Sequence, residues 1–386
     1  MGSLSDLPAD TKAMGKAQLG KLADLLERSG LDVDDFARIQ KVNVWQGFLK
    51  DADGNAELVD MAGMQLVPHF ADGPEWPVVQ PAAPTRIVYG KRPSTVTGER
   101  RTVLFPDQQV GFWRVDDGAT VEMIPMHDTN AMACALNVAR LVKPHRILNH
   151  GDALDLSEWS SKFTIYPEFA QTTQAALDEL HRHLAAQRAI VGPDGDLVLL
   201  RGNHDDRLEL LVTRNAKAAL RLRQANTPES WPVLSMRHLL RLDELGVTYV
   251  GAYPAGRFKL ADGHGRQTPL VAIHGQKTDV AKVAKTERQS HVQGHAHHVA
   301  HRAETYEVDG EAVEVEAWSL GCLCRLDGAV PSTHGKPDED GRPAKRHESW
   351  QQAVGVLTEF AEGGWQMEVV RIRDGVAHYR GQKVTA

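Results

Sequence analysis

The chain has 386 residues, 42% hydrophobic and 25% charged, the profile of a folded globular protein with more chain than one small domain needs. Its net charge of -7 and pI near 6.2 exclude a global basic field, so any nucleic-acid contact must come from a local patch. Cys134, Cys322 and Cys324 are too few and too scattered for a disulfide framework, and a Cys-x-Cys pair lacks the zinc-knuckle spacing. No apolar run approaches the roughly 18 residues that cross a bilayer, so a cytoplasmic chain, neither exported nor inserted in a membrane, is expected.

In chain order, Leu19, Leu22, Ala23 and Leu26 recur at helical spacing and Gly30 stands at a capping position, which predicts a helix over Lys16 to Arg28. Strand-like runs Val42 to Leu49 and Ala56 to Met61 flank the turn signal Asp51-Ala52-Asp53-Gly54 and predict a hairpin. Residues 1–66 are thus expected to form a small α+β module, and residues 67–101 a proline-rich linker made locally basic by Lys91, Arg92, Arg100 and Arg101. From Thr102 to the end of the chain the pattern is that of a catalytic domain in which strands alternate with helices. The expected elements are a strand over Thr102 to Phe105, a helix near Asn130 to Leu141, a strand over Arg146 to Asn149, a helix near Glu168 to Arg188, and strands over Leu197 to Leu200 and Pro269 to Ile273. Basic residues Arg214, Lys217, Arg221 and Arg223 fall in a helical insertion between Asp206 and Tyr249. Beyond His298 the segments Glu304 to Val308, Val313 to Ser319, Val354 to Phe360 and Trp365 to Ile372 read as strands of a second sheet packed on the first.

Chemistry-bearing residues follow the apolar strands: Asp107 after Val103-Leu104-Phe105, Asp152 after Ile147-Leu148, Asn203 after Leu199-Leu200, and His274 after Ala272-Ile273. In open α/β sheets that edge is where ligands bind. The segments GDALD from Gly151, GNHDD from Gly202, His274-Gly275 and GHAHH from Gly294 supply carboxylate, amide and imidazole donors in one order. Two divalent ions about 3.5–4 Å apart, which clamp an attacking hydroxide and a phosphoryl oxygen, need such a set. Glycines before Asp152, Asn203 and His295 allow the sharp turn that aims the next side chain into a cleft.

On these residues the chain resembles the calcineurin-like metallophosphoesterase superfamily, whose motifs read Asp-x-His, Gly-Asp, Gly-Asn-His-Asp/Glu, His and Gly-His-x-His. The wording FPDQQVGF, ESWPVLS and GCLCRLDGAVPS is similar to bacteriophage-encoded members. The resemblance implies a four-layer α/β/β/α sandwich with two metals at the top, covering roughly Thr102 to Ile372. It implies that Asp152 bridges the ions, that one ion takes Asp107, Gln109 and His297, and that the other takes Asn203, His274 and His295. His204 would stand beside the metals and assist the leaving group, oriented by Asp155 or, as a second candidate, Asp205. Arg201 and Arg207 flank the motif as phosphate grips or surface ion pairs. The departure from the pattern is Gln109, where the first motif usually has histidine; an amide oxygen there favours Mn²⁺ or Mg²⁺ over Zn²⁺, with Fe also compatible. His127 is a candidate substitute for that imidazole, or a residue at a helix start.

The expected activity is metal-dependent hydrolysis of a phosphoester, with diesters of DNA, RNA or nucleotides first, guided by the basic stretch ending at Arg101. A phosphomonoesterase or phosphoprotein phosphatase is the alternative, and a metal-binding scaffold without turnover is the reading of another class. Most of the 18 histidines are expected at the surface, His181 and His183 on a polar helix among them.

Overall fold

The computed structural model describes residues 38–50, 56–67, 85–89, 98–162, 165–226, 229, 232–331 and 337–386; the expected helix over Lys16 to Arg28 and the residues Lys91 and Arg92 lie outside them. The chain divides into two units, Met1–Pro84 and Thr85–Ala386. In the first, β1 (Arg38–Lys50) and β2 (Ala56–Val67) pair antiparallel from Lys50↔Ala56 to Arg38↔Val67, the expected hairpin with longer arms.

In the second unit, apolar runs without polar alternation become strands buried on both faces. β3 (Arg100–Phe105), β6 (Arg146–Asn149), β7 (Asp196–Leu200) and β8 (Val247–Val250) run parallel and side by side. β14 (Gln352–Glu359), β15 (Trp365–Arg373), β16 (Val376–Tyr379) and β17 (Gln382–Thr385) continue the same eight-stranded sheet antiparallel from the other side of β3. A five-stranded sheet, ordered β12-β13-β11-β10-β9, comprises β9 (Arg257–Ala261), β10 (Leu270–Ile273), β11 (His291–Gln293), β12 (Val299–Val308) and β13 (Glu311–Leu320), with β10, β11 and β13 parallel. A separate hairpin joins β4 (Phe112–Asp116) to β5 (Val121–Pro125).

Alternation along the strands sorts their side chains into two cores. Leu104, Leu148, Val198 and Leu200 meet Leu260, Leu270, Ala272, Val292 and Leu320 of the second sheet. Val103, Phe105, Ile147, Leu197 and Leu199 face the other way, against α1 (Thr129–Val142) and α2 (Thr173–Val191). Two short helices, α3 (Arg207–Asn215) and α4 (Met236–Leu239), occupy the expected insertion. On the outer side of the five-stranded sheet, α5 (Val280–Glu287) sets Val283 against Val271 and Ile273, and Val280 and Ala284 against Ala317. The expected mixed α/β class and a second sheet packed on the first are therefore both present, but of the four strands expected in that second sheet only those over Glu304 to Val308 and Val313 to Ser319 belong to it; Val354 to Phe360 and Trp365 to Ile372 fall in β14 and β15, which extend the first sheet because β14 pairs with β3. Among the described residues no helix is long and apolar enough to cross a membrane.

Two surface expectations fail. His183 is 6% exposed and lies edge-on to Phe105, because it shares the inward stripe of α2 with Leu180, Leu184 and Val191. His181 is half-buried, with Nε2 2.7 Å from Thr85 Oγ1 and Nδ1 2.9 Å from the Leu240 carbonyl.

Candidate metal centre

Parallel pairing of β3, β6 and β7 brings their C-terminal ends to one edge, and β10 and β11 deliver theirs to the same place. Asp107, Asp152 and Asn203 come from the first sheet and His274, His295 and His297 from the second. The chain reaches these positions through tight backbone: Asp107, Gln109, Asp152, His295 and His297 all have positive φ, from 23° at Asp107 to 66° at His295. Such a conformation is costly for a residue with a side chain, and its concentration here marks a site whose surroundings enforce it.

Two groups of donors that could hold a metal ion result, Asp107 with Asp152 and His297, all buried, and Asp152 with His274 and the half-buried His295; within each, the donor atoms lie within 4.8 Å of one another. Asp152 belongs to both. Its Oδ2 is 3.3 Å from His274 Nε2, and its Oδ1 accepts the His204 N–H at 2.8 Å. Asp107 Oδ1 is 3.4 Å from His297 Nε2, and the carboxylate accepts the His295 N–H at 2.9 Å. Asn203 Oδ1 stands between His274 Nε2 at 3.1 Å and His295 Nδ1 at 2.8 Å. The Gln109 amide approaches Asp152 Oδ2 at 3.3 Å through Nε2, which leaves its buried Oε1 without a hydrogen-bond partner.

Burial alone would raise the Asp152 carboxyl; the His204 and His274 rings override it and hold it well below the usual range. Burial works against charge on His274, yet Asp152 more than offsets it and pushes the ring up to about 10. Burial is likewise outweighed at His297, where Asp107 pushes the ring up to about 9. A divalent ion bound there would supply the positive charge that these carboxylates favour, and would take both rings as neutral ligands. Together with the orphaned Gln109 Oε1, this donor set fits metal.

Beside the centre, His204 Nδ1 lies 3.0 Å from Asp155 Oδ1, and Arg207 Nη2 lies 2.9 Å from His204 Nε2. Since the guanidinium has only donors to offer, Nε2 accepts and Nδ1–H donates to Asp155, which fixes the tautomer. Arg207 also donates to the Asp155 carbonyl at 2.6 Å, and Ser157 Oγ bonds the Asp155 carboxylate. Asp205 does not orient His204: it accepts the N–H groups of Gly202 at 2.8 Å and Leu154 at 3.0 Å, joining two loops, and burial with the nearby Asp152 charge raises it to about 6. Arg201 is an ion-pair residue, bound to Asp206 and to Glu209. His127 belongs to neither donor group; Asp128 caps α1 instead, and the His127 ring lies edge-on to Phe112, its burial lowering it to about 4.

Arg100 and Arg101 sit at the start of β3, the opposite end of the strand from Asp107, and Arg100 pairs with Asp196. The cations that adjoin the centre are others. A cleft of about 270 Å³ opens from Asn203 and is lined by Trp159, Lys162, Arg207, Arg214 and Tyr253, the last with its ring 5.8 Å from His274.

Sequence reasoning also missed Cys322 and Cys324, which form a third group of buried donors with His297. Burial opposes a thiolate at both; the hydrogen bond between the two thiols and the His297 ring hold Cys322 below the usual thiol range, while Cys324 is raised well above it. The signal was their place directly after β13, a strand of the sheet that carries the GHAHH segment. Comparison with known proteins gives no matching family model and no matching curated protein, so the meaning of the centre rests on its residues and their geometry.

Proposed function

We propose that the chain is a metal-dependent phosphoesterase of the calcineurin-like metallophosphoesterase type, similar to bacteriophage-encoded members, and that it hydrolyses phosphodiesters of nucleic acids or nucleotides. The observation that carries this reading is the convergence of Asp107, Gln109, Asp152, Asn203, His274, His295 and His297 from two sheets on one edge, with the His204–Asp155 pair beside them. Packing supports it too: α1 and α2 pack on one face of the eight-stranded sheet, the five-stranded sheet on its other face, and α5 on the five-stranded sheet, contacts that a four-layer α/β/β/α sandwich would require.

Asp152, common to both donor groups, is the natural bridge between two ions, with Asp107, Gln109 and His297 on one side and Asn203, His274 and His295 on the other. Bound there, two divalent ions, Mn²⁺ in the first place, would acidify a water and neutralise charge on the phosphoryl group. The chain's own residues do the rest. Asp155 holds the His204 ring with Nε2 toward the centre, where, once protonated, it gives a proton to the departing oxygen. Arg207 must yield Nε2 for that step and is placed to turn its guanidinium to phosphate oxygens. Trp159 and Tyr253 offer aromatic faces, and Lys162 and Arg214 offer charge, along the cleft from Asn203. A diester with a substituent on each side of phosphorus uses such a groove, and a nucleoside substituent uses aromatic walls.

The test is hydrolysis of bis(p-nitrophenyl) phosphate against p-nitrophenyl phosphate by metal-stripped protein, with Mn²⁺, Mg²⁺ or Zn²⁺ restored singly. The expected result is preferential turnover of the diester, restored by Mn²⁺ and reduced about 10²–10⁴-fold in His204→Ala. Preference for the monoester would move the substrate to phosphomonoesters, and bound metal without any turnover would overturn the enzymatic reading.

A further inference from the structure

The parallel register of β11 and β13, His291↔Ala317 to Gln293↔Ser319, sends the segments after them out side by side. One carries His297 and the other Cys322 and Cys324. Backbone bonds fix both: Gln351 accepts the Cys322 N–H at 2.9 Å and donates its own N–H to the His297 carbonyl at 2.9 Å. Between the cysteines, Leu323 donates to the Asp107 carbonyl at 3.0 Å and buries its side chain in the helix-facing core. Cys322 and Cys324 pack together in one buried cluster while Leu323 packs in the other, so both thiols lie on the side away from Leu323.

We propose that His297, Cys322 and Cys324 form a binding site for a thiophilic cation of the Zn²⁺ or Cd²⁺ kind, which shares His297 with the group of Asp107 and Asp152 and differs from it in its two sulfur donors. The donor atoms of the three lie within 4.8 Å of one another and all three residues are buried. A tetrahedral ion with bonds of about 2.3 Å to sulfur and 2.0–2.1 Å to nitrogen separates its ligands by roughly 3.6–3.8 Å, so a small inward movement closes the site. Both thiol protons leave to solvent as the ion enters, and the fourth position is open to water or to Asp107. Soft sulfur ligands select such ions over Mn²⁺ or Mg²⁺. The site does not depend on phosphoester chemistry: as simple packing groups the two cysteines would only fill space beside Trp113 and Met126.

The experiment uses the full chain, reduced and metal-stripped, titrated with Cd²⁺ and followed by near-ultraviolet thiolate-to-cadmium charge-transfer absorption, with bound Cd²⁺ measured by equilibrium dialysis. The absorption is expected to rise with binding, to persist in Cys134→Ser, and to vanish in the Cys322→Ser/Cys324→Ser double variant, with the associated affinity falling roughly 100-fold or more. Single Cys322→Ala and Cys324→Ala variants, each weakening the band, serve if the double variant does not fold. Cd²⁺ bound without the band, no binding at all, or a band unchanged in the variants would overturn the proposal. Mn²⁺-dependent turnover is read separately in the metal-restored protein without Cd²⁺; the two groups share His297, and the cysteine variants leave that ring in place, so loss of the band does not by itself bear on turnover.

Discussion

Gln109 is where the centre departs most from the motif it resembles, and its single amide oxygen is the donor most easily improved. Replacing it with imidazole, Gln109→His, is expected to tighten binding of an ion beside Asp107 and His297 and reduce the Mn²⁺ requirement, read as metal content after dialysis; an unchanged Mn²⁺ affinity would count against a ligand role. His183 concerns stability instead. Burial lowers its ring to about 3 from 6.5, and its Nε2 has no partner among the described residues. The unfolded chain therefore binds a proton between those values that the folded chain refuses, so this contribution is present above pH 6.5 and is lost at about 1.4 kcal/mol per unit as pH falls toward about 3. His183→Leu removes both penalties: it is expected to be about 1–2 kcal/mol more stable near neutrality, with an advantage that grows in acid. Urea unfolding at pH 7 and pH 5 checks it. The histidine was misread because its neighbours Arg182 and His181 are polar, while the helical period that turns it inward also turns in Gln187 and Arg188.

The elements read best from the sequence were the strands whose apolar runs end in a chemical residue, β3, β6, β7 and β10, since burial on both faces leaves a continuous run bounded by a turn. β11 was missed for the opposite reason: three residues long, His291-Val292-Gln293, it buries two polar side chains and has no apolar period. The hairpin of β4 and β5 escaped although Asp116-Asp117-Gly118 signals its turn, with Asp117 accepting the Thr120 N–H at 2.7 Å. At the strand ends the glycines were legible, but the reason at Gly202 needed coordinates: a Cβ there would overlap the Asp152 carboxylate and backbone nitrogen. Gly202→Ala is expected to displace Asp152 and abolish metal binding. Gly118→Ala, at φ 84° but facing open space, should cost only about 1–2 kcal/mol and leave metal content intact. Equal metal content in the two variants would show that Asp152 is not a ligand.

At the scale of the molecule, the existence of a second sheet was legible from the β-rich end of the chain, whereas its membership and strand order were not: β14 and β15 of that end join the first sheet. That order follows from pairings between distant segments, such as β11 with β13, that no local pattern encodes. The feature with the widest reach is that the donor set is split between the two sheets, with Asp107 and His295 188 residues apart in sequence and joined by a hydrogen bond. Each sheet alone carries only part of either donor group that contains Asp152, so neither group is complete in a half-assembled chain. An ion that needs donors from both sheets would be held in full only after docking, and is expected to hold the docked sheets without hastening their docking. Stopped-flow measurements with and without Mn²⁺ are expected to show refolding rates equal within about twofold and unfolding slowed in proportion to occupancy. A metal that speeded refolding instead would mean that part of the centre forms within one sheet alone. If the expected pattern holds, the bound cation governs how long the protein lasts, and the bare chain alone governs how soon it is made.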